Sequence, residues 1–67
     1  MVRQYEVIVY DKVTDTTNQI EVFANNIYEA KERAKLINAE MLRKENQNRY
    51  IKNILNETKV FCFGIIR

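Results

Sequence analysis

Between Ile20 and Met41 the chain changes from the period of a β-strand to that of an α-helix. Apolar and polar side chains alternate over residues 20–24, which is typical of a half-buried strand, and the spacing then lengthens. Asn26 stands at the position of a helix N-cap, and Glu29 follows it at the spacing of a capping box. The apolar face of the helix is predicted to contain Ile27, Ala30, Ala34, Ile37 and Met41. The sequence therefore predicts a strand, a cap and an amphipathic helix in succession.

A first strand and a hairpin connection are predicted before this unit. Residues 4–10 alternate between a well-buried and a partly buried parity, as a strand of a small sheet does. Residues 11–18 are rich in Asp, Thr and Asn, whose short side chains bond the local backbone and favour turns. The chain has no proline and its single glycine is Gly64, so a left-handed position in this connection must fall to Asp or Asn. The first two strands are therefore predicted to pair as a hairpin.

Residues 59–66 are predicted to form the last strand, and both of its parities are apolar. One parity contains Phe61, Phe63 and Ile65, and the other contains Val60, Cys62 and Ile66. Gly64 inside this strand indicates a bulge or a close backbone approach. Because a strand that is apolar on both sides requires cover on both faces, one layer of helix is not enough for such a sheet.

The stretch between the main helix and the last strand allows two interpretations. Continuing the main helix past Asn46 would place Ile51 and Ile54 about 80 to 140° from the centre of its apolar face, so we predict a break at 46–48. Residues 49–55 then form a second short helix, in keeping with the spacing of their apolar side chains. The alternative is a fourth strand, followed by a turn at 56–57.

These elements predict a single α+β domain over residues 1–67 with the order ββα(α)β. A small antiparallel hairpin is joined by the last strand, and one main helix packs across one face of the sheet. The direction of the last strand does not follow from periodicity. With one cysteine and no histidine the chain forms no internal disulfide, and we expect neither a structural zinc site nor any other metal or cofactor. Self-association is the remaining way to stabilise so short a chain.

The sequence also bears on the cellular location of the protein. Its first residues lack the apolar run of a signal peptide, and no segment approaches the roughly 20 apolar residues that span a bilayer. We therefore expect an intracellular, cytoplasmic protein that does not bind membranes.

Catalysis is not expected from this composition. Histidine, the commonest general base, is missing, and Cys62 lies between two phenylalanines in an apolar strand, where a thiol is expected to be inert. A chain with one glycine contains no glycine-rich phosphate loop. Pairs of acidic residues occur only at helix or turn spacings that match no defined metal loop. We therefore predict a protein without enzymatic activity.

The surplus of apolar sheet surface leads to a functional hypothesis. If one helix covers one face, the other face needs a partner, which in the simplest case is a second copy of the chain. The leading hypothesis is a protein-binding module that forms a homo-oligomer, a dimer, through this face or through the edge of the last strand. Its predicted interface residues are Ile8, Tyr10, Phe23, Phe61 and Phe63. The alternative is that the second helix folds under the sheet and closes the face.

Two further hypotheses concern the partner. Short, cysteine-poor chains rich in Asn, Lys and Ile are similar to many accessory proteins of bacteriophages and other mobile elements, which implies a host protein that is bound or inhibited. Residues 27–56 carry seven basic and four acidic side chains, which makes nucleic-acid binding the alternative function. The residues predicted for that role are Lys31, Lys35, Arg43, Lys44, Arg49 and Lys52.

Overall fold

The structure is a computed structural model that describes residues 1–46 and 48–65, with side chains described as far as Phe61. Its elements in chain order are β1 (Arg3–Asp11), β2 (Thr16–Ala24), α1 (Ile27–Glu45), α2 (Ile51–Asn56) and β3 (Thr58–Ile65). The order ββααβ confirms the predicted α+β fold. Residues 49–55 are largely helical, so the interpretation of this stretch as a fourth strand was wrong.

The three strands form one antiparallel sheet in the order β2-β1-β3. β1 and β2 pair without interruption from Arg3 opposite Ala24 to Asp11 opposite Thr16. The turn between them occupies residues 12–15, and Asp15 takes the left-handed conformation with φ 53°. An aspartate tolerates this conformation because its short side chain bonds locally, so the predicted residue type is confirmed.

β3 contains a bulge next to Gly64, as predicted for this glycine. Gly64 stands opposite Glu6, but Cys62 stands opposite Val7, so Phe63 is the additional residue of the bulged strand. A bulge of one residue reverses the parity of everything beyond it.

The reversal corrects one prediction about the last strand. Phe61 is paired with Ile8, whereas Ile65 is paired with Tyr5. Ile8 and Tyr5 lie on opposite faces of β1, since residues three apart in a strand alternate. The register therefore pairs Phe61 and Ile65 with residues on opposite faces of β1, although both have odd numbers and were expected on one parity.

The main core lies between α1 and one face of the sheet. The sheet contributes the odd-numbered apolar residues of β1 and the even-numbered ones of β2, and the helix contributes two alanines. The buried members are Tyr5, Val7, Val9, Ile20, Val22, Ala24, Ala30 and Ala34. Small alanine side chains let the helix axis approach the strands closely, so the contact is tight although the helix brings little apolar bulk.

The cap of α1 forms as predicted, although the capping box takes a different shape. The Asn26 side chain accepts a hydrogen bond from the Glu29 backbone N–H at 2.8 Å. The Glu29 carboxylate accepts from Asn25 Nδ2 at 3.3 Å and pairs with Arg33. Glu29 thus connects the turn before the helix to the next helical turn.

The buried face of α1 is rotated away from the predicted one. Asn38 is fully buried, whereas Ile37 and Met41 are 41% and 42% exposed. Ala39 and Leu42 are buried as well. The predicted face, which also included the half-exposed Ile27, was therefore right for its alanines and wrong for its larger residues.

α2 packs against α1 instead of crossing under the sheet. Ile54 is fully buried against Ala39 and Leu42, with Ile51 and Leu55 at the margin. This second small core explains why the C-terminal half of α1 turns its buried face away from β2. The face of the sheet opposite α1 stays uncovered by the described helices, so the alternative in which α2 closes it was wrong.

We expect replacement of Asn38 by leucine to stabilise the fold. The Asn38 side chain accepts a hydrogen bond from Asn18 Nδ2 at 2.9 Å, but its own Nδ2 is buried without a partner among the described residues. A buried unpaired donor costs about 1–3 kcal/mol, and loss of the bond to the half-buried Asn18 offsets about 1 kcal/mol of the gain, so Asn38→Leu should raise the free energy of unfolding by about 1 kcal/mol. Urea unfolding followed by circular dichroism measures this. Asn53→Leu on the exposed side of α2 is the control, and a loss of stability in Asn38→Leu would contradict the prediction.

Candidate functional site

The face of the sheet opposite α1, here called the open face, is the first candidate site. Its β1 residues are half-buried by their neighbours, and its β2 and β3 residues are exposed. The described members are Gln4, Glu6, Ile8, Tyr10, Thr17, Gln19, Glu21, Phe23, Lys59 and Phe61. No described helix packs on this face, so its side chains are available to another molecule.

Three of the predicted interface residues come together on the open face. Ile8 is paired directly with Phe61, and Tyr10 is the next open-face residue along β1. Phe61 is 56% exposed, whereas Ile8 and Tyr10 are half-buried. The Tyr10 hydroxyl donates to Asp15 at 2.7 Å, and this hydrogen bond raises the pKa of Tyr10. We call Ile8, Tyr10 and Phe61 the open-face patch.

Phe23 does not belong to this patch. It is paired with Gln4, four residues along β1 from Ile8, which is about 13 Å. Two polar pairs lie between them: Gln4 donates to Glu21 at 2.9 Å, and Gln19 donates to Glu6. The side chain of Phe63, the fifth predicted interface residue, lies outside the described residues.

Phe23 instead borders a groove between β2 and α1. The exposed residues at this groove are Glu21, Phe23, Arg33, Leu36 and Ile37, and the last four are here called the β2–α1 flank. The Arg33 guanidinium donates to the Phe23 backbone carbonyl and also pairs with Glu29. Leu36 and Ile37 are 47% and 41% exposed, which leaves an apolar strip beside the free edge of the sheet. The sequence analysis missed this surface because it placed Ile37 in the core.

The predicted nucleic-acid residues do not gather on one side of α1. Lys31 and Lys35 are half-buried, whereas Arg43 and Lys44 are exposed. Lys35 and Lys44 are nine residues apart, which places them on opposite sides of the helix at about 100° per residue. Lys52 is exposed on α2. The structure therefore divides this set among several surfaces.

Arg49, the sixth residue of that set, is held by Asp11. Its two terminal nitrogens donate to the two Asp11 carboxylate oxygens, each at 2.9 Å. The Asp11 carboxylate also accepts from the Thr14 hydroxyl at 2.6 Å and from the Thr14 N–H at 3.2 Å. The Asp11 side chain is 1% exposed and that of Arg49 is 12% exposed. This pair fastens the connection between the helices to the hairpin turn, so the charge of Arg49 is already compensated.

The pair also sets the protonation of both partners. Hydrogen bonds from Arg49, together with those from Thr14, lower the pKa of Asp11 from 3.8 to about 2, although burial opposes this shift. The hydrogen bonds to Asp11 in turn raise the pKa of Arg49. Both groups therefore stay charged across the physiological range.

Over the described ranges 1–46 and 48–65, no group of three or more His, Cys, Asp or Glu side chains is arranged to hold a metal ion. Neither described helix has the length and apolar character that crossing a membrane requires. Comparison of the chain with protein-family models, with curated proteins and with solved structures gave no match.

We expect the Asp11–Arg49 pair to make stability depend on acid. Because the folded-state pKa of Asp11 is depressed, its contribution is complete above about pH 4 and is lost as the pH falls to about 2. One pKa unit corresponds to about 1.4 kcal/mol, so Asp11→Asn should cost about 2 kcal/mol at pH 7. It should also flatten the decline of stability between pH 4 and pH 2, measured by urea unfolding at a series of pH values.

Asp15→Asn is the matched control, because it changes a carboxylate in the same turn and asparagine also tolerates the left-handed conformation. It should retain the decline between pH 4 and pH 2. Equal acid profiles for Asp11→Asn and the unchanged protein would show that the ion pair does not stabilise the fold.

Proposed function

We propose that this protein is a non-enzymatic protein-binding module that uses its open-face patch to contact another protein. The observation that supports this most is the uncovered pairing of Ile8 with Phe61 beside Tyr10. Aromatic and aliphatic anchors of this kind contribute most of the binding energy in protein interfaces.

The surroundings of the patch support the same proposal. Gln4 donates to Glu21 and Gln19 donates to Glu6, so two hydrogen bonds order this polar margin across β1 and β2. An apolar centre with a polar margin of this kind is typical of a protein interface. Because each carboxylate keeps one oxygen without a hydrogen bond from these amides, this margin suits the hydrated rim of an interface and not its buried centre.

The fixed backbone under the patch is a second source of support. Ile8 and Tyr10 lie on the central strand, and the adjoining turn is held by the bonds from Thr14 and Arg49 to Asp11. A surface that is ordered before binding loses little conformational entropy when a partner arrives. Self-association is part of the proposal, and a further protein, such as one of a host cell, is the partner proposed for the open face. The division of the basic residues gives no comparable support for nucleic-acid binding.

The test is capture of proteins from a lysate of the source cells with the immobilised chain and two variants. Phe61→Thr removes the exposed aromatic anchor and keeps a residue that favours strands. Lys59→Thr is the control, since it changes the neighbouring open-face position on β3. We expect a protein retained by the unchanged chain and by Lys59→Thr, and retained at least about tenfold less by Phe61→Thr.

Equal retention by Phe61→Thr would refute a role for the open-face patch. Retention of nucleic acid that is released by moderate salt would instead support the alternative function. Circular dichroism of each variant confirms that its fold is unchanged.

A further inference from the structure

We infer that a second copy of this chain docks on the β2–α1 flank, so that two sheets join through their β2 edges and the two α1 helices lie side by side. This inference rests on the proposed self-association and assigns it to a surface separate from the open-face patch. Three observations support it. The outer edge of β2 is unpaired among the described residues, the charges along α1 match those of a second copy about a two-fold axis, and the strand and the helix can share that axis.

The outer edge of β2 presents backbone groups suited to pairing. In the described part of the chain, no strand pairs with this edge, because the order is β2-β1-β3. Arg33 donates to the Phe23 carbonyl, which therefore points away from β1. By the two-residue period of a strand, the backbone groups of Thr17, Gln19 and Glu21 point the same way. The backbone groups of these three residues are therefore positioned to pair with another strand. The Phe23 carbonyl at the end of the edge is already bonded to Arg33.

The two edges of the sheet differ in how they are protected. Natural edges are protected from pairing by bulges, lysines and prolines. β3 contains both the bulge at Phe63 and Lys59. β2 is paired with β1 over nine residues in unbroken register and contains neither lysine nor proline. The regular edge of β2 is therefore the better site for self-pairing, whereas the sequence suggested the sheet face or the edge of the last strand.

Charges on the neighbouring side of α1 complement themselves in an antiparallel arrangement. Arg33, Ile37, Glu40 and Lys44 fall within an arc of about 60° on the helix. When two copies meet about a two-fold axis, residues at equal distances on either side of the axis face each other. With the axis between Leu36 and Ile37, Arg33 faces Glu40 of the second copy.

The same axis brings Glu29 opposite Lys44 of the second copy. Glu29 already pairs with Arg33 in its own chain, so the four charges would alternate in sign along the contact. Glu40 and Lys44 are not within 4.0 Å of an opposite charge among the described residues of one chain, although their spacing predicts an i,i+4 pair. Leu36 and Ile37 would cover each other at the centre. The flank is thus complementary to its own copy in both charge and apolar surface.

One axis can serve both the strand and the helix. Arg33 reaches Phe23, and Asn38 bonds to Asn18, so α1 runs antiparallel to β2. At about 1.5 Å per helical residue and about 3.3 Å per strand residue, the midpoint between Leu36 and Ile37 therefore lies beside the stretch of β2 from Gln19 to Glu21. An axis at Gln19 pairs Thr17 with Glu21 of the second copy and leaves the covered carbonyl of Phe23 unused. It also keeps the two Glu21 side chains from facing each other.

Charge reversal tests this arrangement. Arg33→Glu and Glu40→Arg each create two like-charge contacts in a homodimer, so each should weaken the dimer on the order of tenfold or more. Mixed in equal amounts, the two variants should form a heterodimer in which both contacts are again favourable. Sedimentation equilibrium measures the mass, which for the dimer is twice the 8.0 kDa of the chain. Lys52→Glu on α2 and Glu45→Arg, which lies about 120° around α1 from Arg33, reverse charges at exposed positions away from the flank and should leave the dimer intact.

A backbone variant tests the strand contact separately. Gln19→Pro removes an outward N–H at an edge position where proline is tolerated, so it should abolish the dimer without unfolding the monomer, whereas Gln19→Thr should retain it. An unchanged chain that stays monomeric at its highest soluble concentration would overturn the inference. So would a dimer that these variants leave unaffected, or single variants that mixing does not restore. Phe61→Thr should dimerise normally, which separates this result from the test of the open-face patch.

Discussion

The contact of α1 with the sheet through Ala30, Ala34 and Asn38 decides what the rest of the molecule shows to solvent. Two alanines bring the helix close, and Asn38 occupies the next position on the same line with a bond to Asn18. This line replaces a contact through Ile37 and Met41, which would bury more apolar area. The helix therefore leaves Ile37 and Met41 partly exposed, and Ile37 makes the flank beside β2 apolar.

A second constraint fixes the ends of the elements. The Asp11 carboxylate joins the hairpin turn to Arg49, while the Lys12 N–H donates to the Glu57 carbonyl at 3.1 Å. These bonds hold the chain before and after α2 against the same end of β1. α2 is therefore drawn over the end of α1, where Ile54 meets Leu42, and not under the sheet. The open face is uncovered both because the described helices are few and because these bonds hold α2 at the end of α1.

Most of the fold follows from local sequence patterns, whereas most features of the candidate sites depend on tertiary contacts. The hairpin, the Asn26 cap, the bulge at Gly64 and the short second helix all follow from neighbouring residues, and the structure has each of them. The rotation of α1 depends on a polar core residue, which a hydrophobic pattern scores as exposed. The ion pair joins residues 38 apart in the chain, so no spacing rule reveals it. For the same reason, Arg49 was counted among the free basic residues and Ile37 was placed in the core.

Joining two sheets through β2 would also change what the open face offers. A two-fold axis perpendicular to the sheet keeps equivalent faces on the same side, so both open-face patches would lie on one surface of a six-stranded sheet. Two copies of Ile8 would then be three strand spacings apart, about 14 Å across the sheet. A partner that contacts both patches would bind the second one at high effective concentration, so its overall affinity would exceed that for one patch. The small patch of a single chain, which has only three described apolar members, thereby becomes a surface large enough to select a partner.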